Sequence, residues 1–246
     1  MSRKIFTSML ARIIDGVLCA ATSFISGVRP KQPQQLDCPS EGTVYYANHN
    51  SHGDFVLVWI SLPKRWRIHA RPVAGADYWL RGRLRRFVIE EVFRGLLVDR
   101  QGGDPQQMIA QMGEALRQGD SLIIFPEGTR NTSDEVRLLP FKSGLYHLAA
   151  ANPGTAFVPV WLNNINRVLP KGGLLPVPLL CSVSFGAPMS LAPGETRDQF
   201  LTRARDAMLA MRPRSASNSR RTSAAEAVFS AGVAPRTSHI TMWRIA

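Results

Sequence analysis

The sequence predicts an α/β fold built on a largely parallel sheet, and three observations carry that prediction. Short runs rich in β-branched and aromatic residues alternate with longer segments of helical periodicity, the pattern of strands joined by crossover helices. Two of those runs, Thr43-Val44-Tyr45-Tyr46 and Ser121–Phe125, lead directly into polar stretches, as strands do where open α/β sheets place ligands. The chain of 246 residues, 45% hydrophobic, is long enough to bury a proper core as one domain with attached ends.

Residues 1–28 place Ile5, Phe6, Met9, Leu10, Ile13, Ile14, Val17 and Leu18 at helical spacing, with Arg3 and Lys4 at the start and Ser8, Arg12 and Asp15 opposite. This pattern describes an amphipathic helix bent near Gly16. Arg12 and Asp15 interrupt the ~20 apolar residues a membrane span needs, and Asp15 falls inside what would be the core of a signal peptide. Packing on the protein's own core is one reading. The preferred one is a helix lying in the membrane interface, assigned to residues 1–32.

Pro30–Ser40, with Gln and Pro repeated, reads as a linker, and the main domain is assigned to residues 33–212. Within it the spacing predicts a strand over Arg67–Ala74 interrupted by Pro72, a basic helix over Tyr78–Val92 and a strand over Gly95–Arg100. Asp104-Pro105 opens a helix, cap followed by proline, with Met108, Ile109, Met112, Ala115 and Leu116 as its buried stripe. Those methionines read as core rather than as a cofactor site. A helix over Ser143–Ala151 and strands over Ala156–Leu162 and Leu179–Phe185 follow. Thr196 with Gln199 forms a capping box for a last helix through Met211. Residues 213–246 turn to Ser, Arg and Ala without periodicity and read as a disordered basic tail.

The formal charge is +12, and Lys64–Arg100 holds ten basic residues against Asp77, Glu90, Glu91 and Asp99. Such a surface suits nucleic acid, anionic lipid or phosphate-bearing substrates, and charge alone does not choose among them. Cys19, Cys38 and Cys181 are few and widely spaced, so no disulfide framework or zinc knuckle follows.

The densest chemistry is Ala47–Asp54, A-N-H-N-S-H-G-D. His49 and Asp54 are five residues apart, about 500° around an α-helix, so they meet only if the chain turns between them. Gly53 permits that turn. If they meet, Asp54 holds the imidazole in one tautomer and the other nitrogen is free to take a proton. Two alternatives stand beside this at the level of local spacing. The histidines can satisfy a strand-end hydrogen bond, or His49, His52 and Asp54 can ligate a metal. The second polar loop, Phe125–Arg130, reads F-P-E-G-T-R. Its glycine lets main-chain amides approach an anion, and Arg130 adds a fork suited to phosphate.

Together these two loops resemble the glycerolipid acyltransferase family, whose best-known members are the lysophosphatidic acid (1-acyl-glycerol-3-phosphate) acyltransferases. The N-H-x-S-x-x-D signature is matched by Asn48, His49, Ser51 and Asp54, and F-P-E-G-T-R is matched in full. Gly95–Arg100 is similar to the family's second block and Val158-Pro159-Val160 to its fourth. Phe141-Lys142-Ser143-Gly144 resembles the segment after the third.

The resemblance covers about Thr43 to Leu162 and implies a glycerol-phosphate-acyltransferase-like α/β fold, no metal and no cofactor. It implies transfer of an acyl group from acyl-CoA or acyl carrier protein to a lysophospholipid hydroxyl, most simply that of lysophosphatidic acid. His49 is then the general base and Asp54 its partner. Arg100, Glu127, Gly128, Thr129 and Arg130 bind the acceptor, with Glu127 locking the loop or holding an acceptor hydroxyl. The expected partners are a membrane phospholipid surface, the lysophospholipid and the donor, with no nucleic acid. The expected location is the cytoplasmic face of a membrane. Another lysolipid acceptor, lipid or thioester hydrolysis, and a non-catalytic basic membrane- or nucleic-acid-binding protein are the rival readings.

Overall fold

Seven strands form one mixed sheet in a computed structural model that describes residues 16, 29–31, 42–51, 53–99, 102–133, 135–163 and 182–212. The strands are β1 (Arg29–Lys31), β2 (Val44–Ala47), β3 (Ala70–Gly75), β4 (Leu96–Val98), β5 (Ser121–Ile124), β6 (Phe157–Asn163) and β7 (Ser182–Phe185). Their order across the sheet is β1-β7-β6-β2-β5-β3-β4. From β6 to β4 every neighbouring pair is parallel, and only the β6–β7 pair is antiparallel. The predicted class holds: a mostly parallel sheet flanked by helices.

The central strand is buried on both faces, as parallel strands covered by helices must be. Val44, Tyr45, Tyr46 and Ala47 are all fully buried. Tyr45 and Ala47 point into a core completed by α1 (Asp54–Ser61), with Phe55, Val58 and Trp59, and by Ile89 and Phe93. Val44 and Tyr46 point into the opposite core. There they meet α5 (Pro105–Arg117), α6 (Gly144–Ala151) and α7 (Arg197–Ala210) through Met112, Leu116, Leu148, Phe200 and Met208. Between α1 and α5 lie three shorter helices, α2 (Lys64–Arg67), α3 (Ala76–Trp79) and α4 (Arg83–Phe87).

Local signals fix the helix ends. The Asp104 side chain accepts from the Gln106 N–H at 2.9 Å with Pro105 in the first turn. The Thr196–Gln199 capping box is present in both directions. Tyr46 ties α7 to the central strand, its hydroxyl donating to the Ala204 carbonyl at 3.1 Å.

Three expectations need correction. The helix expected over Tyr78–Val92 is broken into α3, α4 and a π-helical turn over Val88–Val92. Gly82 stands between α3 and α4 in an extended conformation (φ −158°, ψ 145°), the position where a residue without a Cβ gives least to a helix. The strand expected from Arg67 begins at Ala70, because Lys64–Arg67 close a helical turn first. Arg29–Lys31, assigned by sequence to the amphipathic segment and the linker, is a strand pairing in parallel with β7 at the sheet edge. An edge position tolerates Pro30, which has no N–H to donate.

The amphipathic helix expected over residues 1–28 lies outside the described residues, except Gly16, as do the linker from residue 32 to 41 and the tail from 213 to 246. Among the described residues no helix is long and apolar enough to cross a membrane.

Candidate active site

The site forms where two neighbouring parallel strands end. In the β2–β5 ladder Tyr46 pairs with Ile124. His49 and Glu127 each lie three residues beyond that pair, so the register alone lays the two motif loops side by side. This is the carboxyl edge of the sheet, where α/β folds bind ligands.

Asp54 begins α1, where a negative charge suits the helix N-terminus. The turn through Gly53 brings its carboxylate back to His49. Asp54 Oδ2 lies 2.8 Å from His49 Nδ1 and accepts the Asn50 and Ser51 main-chain N–H groups at 2.6 and 2.8 Å. A carboxylate already accepting two donors acts as acceptor for the imidazole too. The network therefore assigns the ring proton to Nδ1 and leaves Nε2 with its lone pair free. Asp54 is fully buried, whereas the His49 side chain keeps 20% of its surface exposed. The other carboxylate oxygen, Oδ1, is buried with no hydrogen-bond partner among the described residues. The His49 ring is stacked on Phe125, centroids 4.3 Å apart and planes 23° apart, which restricts its swing.

The F-P-E-G-T-R loop holds this arrangement from the far side. Glu127 is 1% exposed. Its Oε1 accepts the His49 main-chain N–H at 2.7 Å and its Oε2 the Leu139 N–H at 2.8 Å. Burial pushes the Glu127 carboxyl above its ordinary range, against the opposing pull of those two donors. Of the two roles expected for Glu127, locking the loop is the one this geometry favours, since each carboxylate oxygen accepts a main-chain N–H and one of them is that of His49.

Asn131, which the sequence reading passed over, completes the clamp. Its main-chain N–H donates to the His49 carbonyl at 2.6 Å, and its buried side chain spans Ser133 and Val136. Its adjacency to Arg130 was the only available signal. Asn48 matches the signature but has a structural task. It exchanges side-chain hydrogen bonds with the Leu162 backbone at 2.7 and 3.1 Å, extending the β2–β6 ladder by one rung.

A cleft of about 680 Å³ opens beside His49. Gly128, Thr129 and Arg130, which the sequence assigns to acceptor binding, line it, and so does Lys142, which sequence reasoning singled out only as part of a block. Gly128 has φ +71°, and a Cβ there would come within 3.2 Å of Lys142 Cγ. The lysine stem therefore lies over the glycine, and the Lys142 N–H is anchored to the Pro126 carbonyl at 2.8 Å. Arg130 and Lys142 are exposed and have no acidic partner among the described residues. Met108 and Met112, expected as core alone, also line the cleft, with Leu145 and Leu148 beside them. Arg100 and His52 lie outside the described residues. Among the described residues no cluster of three His, Cys, Asp or Glu is arranged to hold a metal ion.

A buried carboxylate orienting a histidine, beside a cleft with both apolar walls and unpaired cations, has the parts a general base needs to activate a hydroxyl or water. Comparison with known proteins agrees with that class. Residues 28–163, more than half of the chain, match the family described as Acyltransferase, and the chain belongs to that family.

The relatives include the lyso-ornithine lipid O-acyltransferase of Pseudomonas aeruginosa, 30% identical over 58% of this chain and 49% of that protein. They also include the 1-acyl-sn-glycerol-3-phosphate acyltransferase of Limnanthes douglasii, 29% identical over 74% of this chain and 61% of that one. The chain spans about half the length of the curated relatives it matches. The crystal structure of the 1-acyl-sn-glycerophosphate acyltransferase of Thermotoga maritima superposes with a TM-score of 0.60 at 17% identity. That match covers 87% of this chain and 85% of the other, a likeness of fold.

Proposed function

We propose that this protein transfers a fatty acyl group from an acyl thioester to the free hydroxyl of a membrane lysophospholipid, with lysophosphatidic acid as the acceptor. The observation that carries this reading is the His49–Asp54 pair, 2.8 Å apart, beside a cleft carrying Arg130 and Lys142. His49 Nε2 takes the acceptor hydroxyl proton as the oxygen attacks the thioester carbonyl. Asp54 stabilises the imidazolium that forms. As the C–S bond breaks, the proton passes to the departing sulfur, giving an ester and a free thiol. A thioester is already activated, so the reaction needs neither a covalent acyl-enzyme nor a cofactor.

Arg130 and Lys142 supply two positive charges for the acceptor phosphate, and the Met108–Met112 wall suits an acyl chain. Main-chain N–H groups of Thr129 and Arg130, which make no hydrogen bond among the described residues, are the candidates for stabilising the oxyanion. Acyl-CoA and acyl carrier protein are both anionic donors compatible with a +12 chain.

A second acceptor reading has its own support. The Pseudomonas aeruginosa relative is named for a lysolipid with an amino-acid head. Asp77 and Asp99 line the cleft along with the two cations. The deciding assay is thiol release from acyl-CoA or acyl carrier protein by the full chain, with lysophosphatidic acid, lyso-ornithine lipid or no acceptor. Release dependent on lysophosphatidic acid and lost by 10²-fold or more in His49→Ala, with the far-UV spectrum unchanged, is the expected result. Release that needs only the amino-acid lysolipid favours the second acceptor, and release at the same rate without acceptor makes the protein a thioesterase.

A further inference from the structure

Among the described residues, the leucines outside one short segment are buried or partly buried. Leu62, Leu116, Leu122, Leu138, Leu145, Leu148 and Leu162 are all 7% exposed or less. Leu84 is 75% exposed and Leu80 47%, and they stand four residues apart on either side of Gly82. Between and after them come Arg81, Arg83, Arg85 and Arg86, every one exposed. Ile68, another large exposed apolar residue, precedes β3 and so lies at the sheet end opposite the cleft, where a single apolar side chain needs no explanation.

Two of the four arginines have work inside the molecule: Arg86 pairs with Glu90 at 2.9 Å, and the Arg85 guanidinium lies 4.6 Å above the Tyr78 ring. Arg81 and Arg83 have no acidic partner among the described residues. The segment borders the active-site cleft, because Tyr78 and Trp79, just before it, line that cleft.

We infer that Leu80–Phe87 is a membrane-contact element at the mouth of the cleft, seating Leu80 and Leu84 among the acyl chains of an anionic lipid surface with Arg81 and Arg83 on its headgroup phosphates. Two exposed leucines interleaved with unpaired arginines match the layering of such a surface, apolar tips inside and cations at phosphate depth. An acidic donor protein would complement the arginines but would not reward the leucines. A nucleic acid would call for exposed aromatic platforms, whereas the one aromatic residue of this segment, Phe87, is half-buried. The inference rests on the lysolipid reading and adds to it: the acceptor reaches His49 from the bilayer beside this element without leaving it.

The test uses the full chain with Cys19, Cys38 and Cys181 replaced by serine and a polarity-sensitive fluorophore on Leu84→Cys. Vesicles of phosphatidylglycerol and phosphatidylcholine are expected to brighten and blue-shift the label, less so at high salt. The same label on Ile68→Cys is expected to stay in water. A Leu84 label that remains aqueous on vesicle-bound protein, or that responds to acyl carrier protein instead of vesicles, overturns the inference.

In the acylation assay, Leu84→Ser with Arg81→Glu and Arg83→Glu is expected to lose about tenfold with vesicle-borne acceptor, the scale of one buried leucine, and to match the parent with detergent-dispersed acceptor. Equal loss in both formats marks a structural defect and overturns it too. A parent inactive in both formats speaks against the acyltransfer reading, while the label still decides the contact.

Discussion

Glu127 is a buried carboxyl that fixes the backbone of His49, the candidate base. Its two oxygens hold the backbones of His49 and Leu139, and burial raises its carboxyl above the ordinary 4.5. The folded state therefore holds that proton more tightly than the unfolded chain. Its contribution to stability falls as pH rises from about 4.5 through the raised value, then levels off. Glu127→Gln removes that titration, so the melting temperature of the parent minus that of the variant is expected to decline across this window. A difference that does not change with pH would contradict the assignment.

On the proposed reading, the two unpaired cations beside the cleft bind the acceptor. Arg130→Gln and Lys142→Gln are each expected to raise the acceptor KM by about tenfold or more, the worth of one charge-assisted hydrogen bond, with kcat and the donor KM changed less. A change confined to donor KM would move these residues to the donor's phosphates.

Within the F-P-E-G-T-R loop, conformation and contact meet at one glycine. Gly128→Ala forces a side chain into φ +71° and presses its Cβ against the Lys142 stem at 3.2 Å. The strain costs about 1–2 kcal/mol, and the displaced lysine is expected to raise the acceptor KM as well. Gly154→Ala is the matched comparison, with φ +81° and open space around the added atom. It is expected to lose similar stability, read from the denaturant midpoint, and to leave KM unchanged. Equal KM effects in both variants would show that loop strain alone, without Lys142, governs binding.

Across the whole molecule the parallel sheet gathers the chemistry at one edge while the cores on its two faces hold that edge rigid. The +12 charge then acts at long range. Binding of the full chain to anionic vesicles, followed by sedimentation, is expected to weaken steadily as salt rises towards physiological strength, where the screening length is about 8 Å. Binding indifferent to salt would leave the charge without a role at the lipid surface.

The sequence by itself determined the α/β class, most element positions and the two polar loops that meet beside the cleft. Strand runs, the Asp104-Pro105 start and the Thr196–Gln199 box are local signals, set by residues within a few positions of one another. The meeting of His49 and Asp54 was legible for the same reason, because a five-residue gap with a glycine leaves few ways for the pair to close.

Only the tertiary structure decided that Glu127 faces inward to His49, that Asn131 clamps the same residue and that the Lys142 stem covers Gly128. The first of these contacts spans 78 residues of chain and exists because β5 lies beside β2, with Tyr46 opposite Ile124. Strand order and register are set by the burial of two whole sheet faces at once, and no local pattern in the chain encodes which strand becomes the neighbour of which. For the same reason the break at Gly82, which turns the expected basic helix into exposed leucines among arginines, appeared only in the fold.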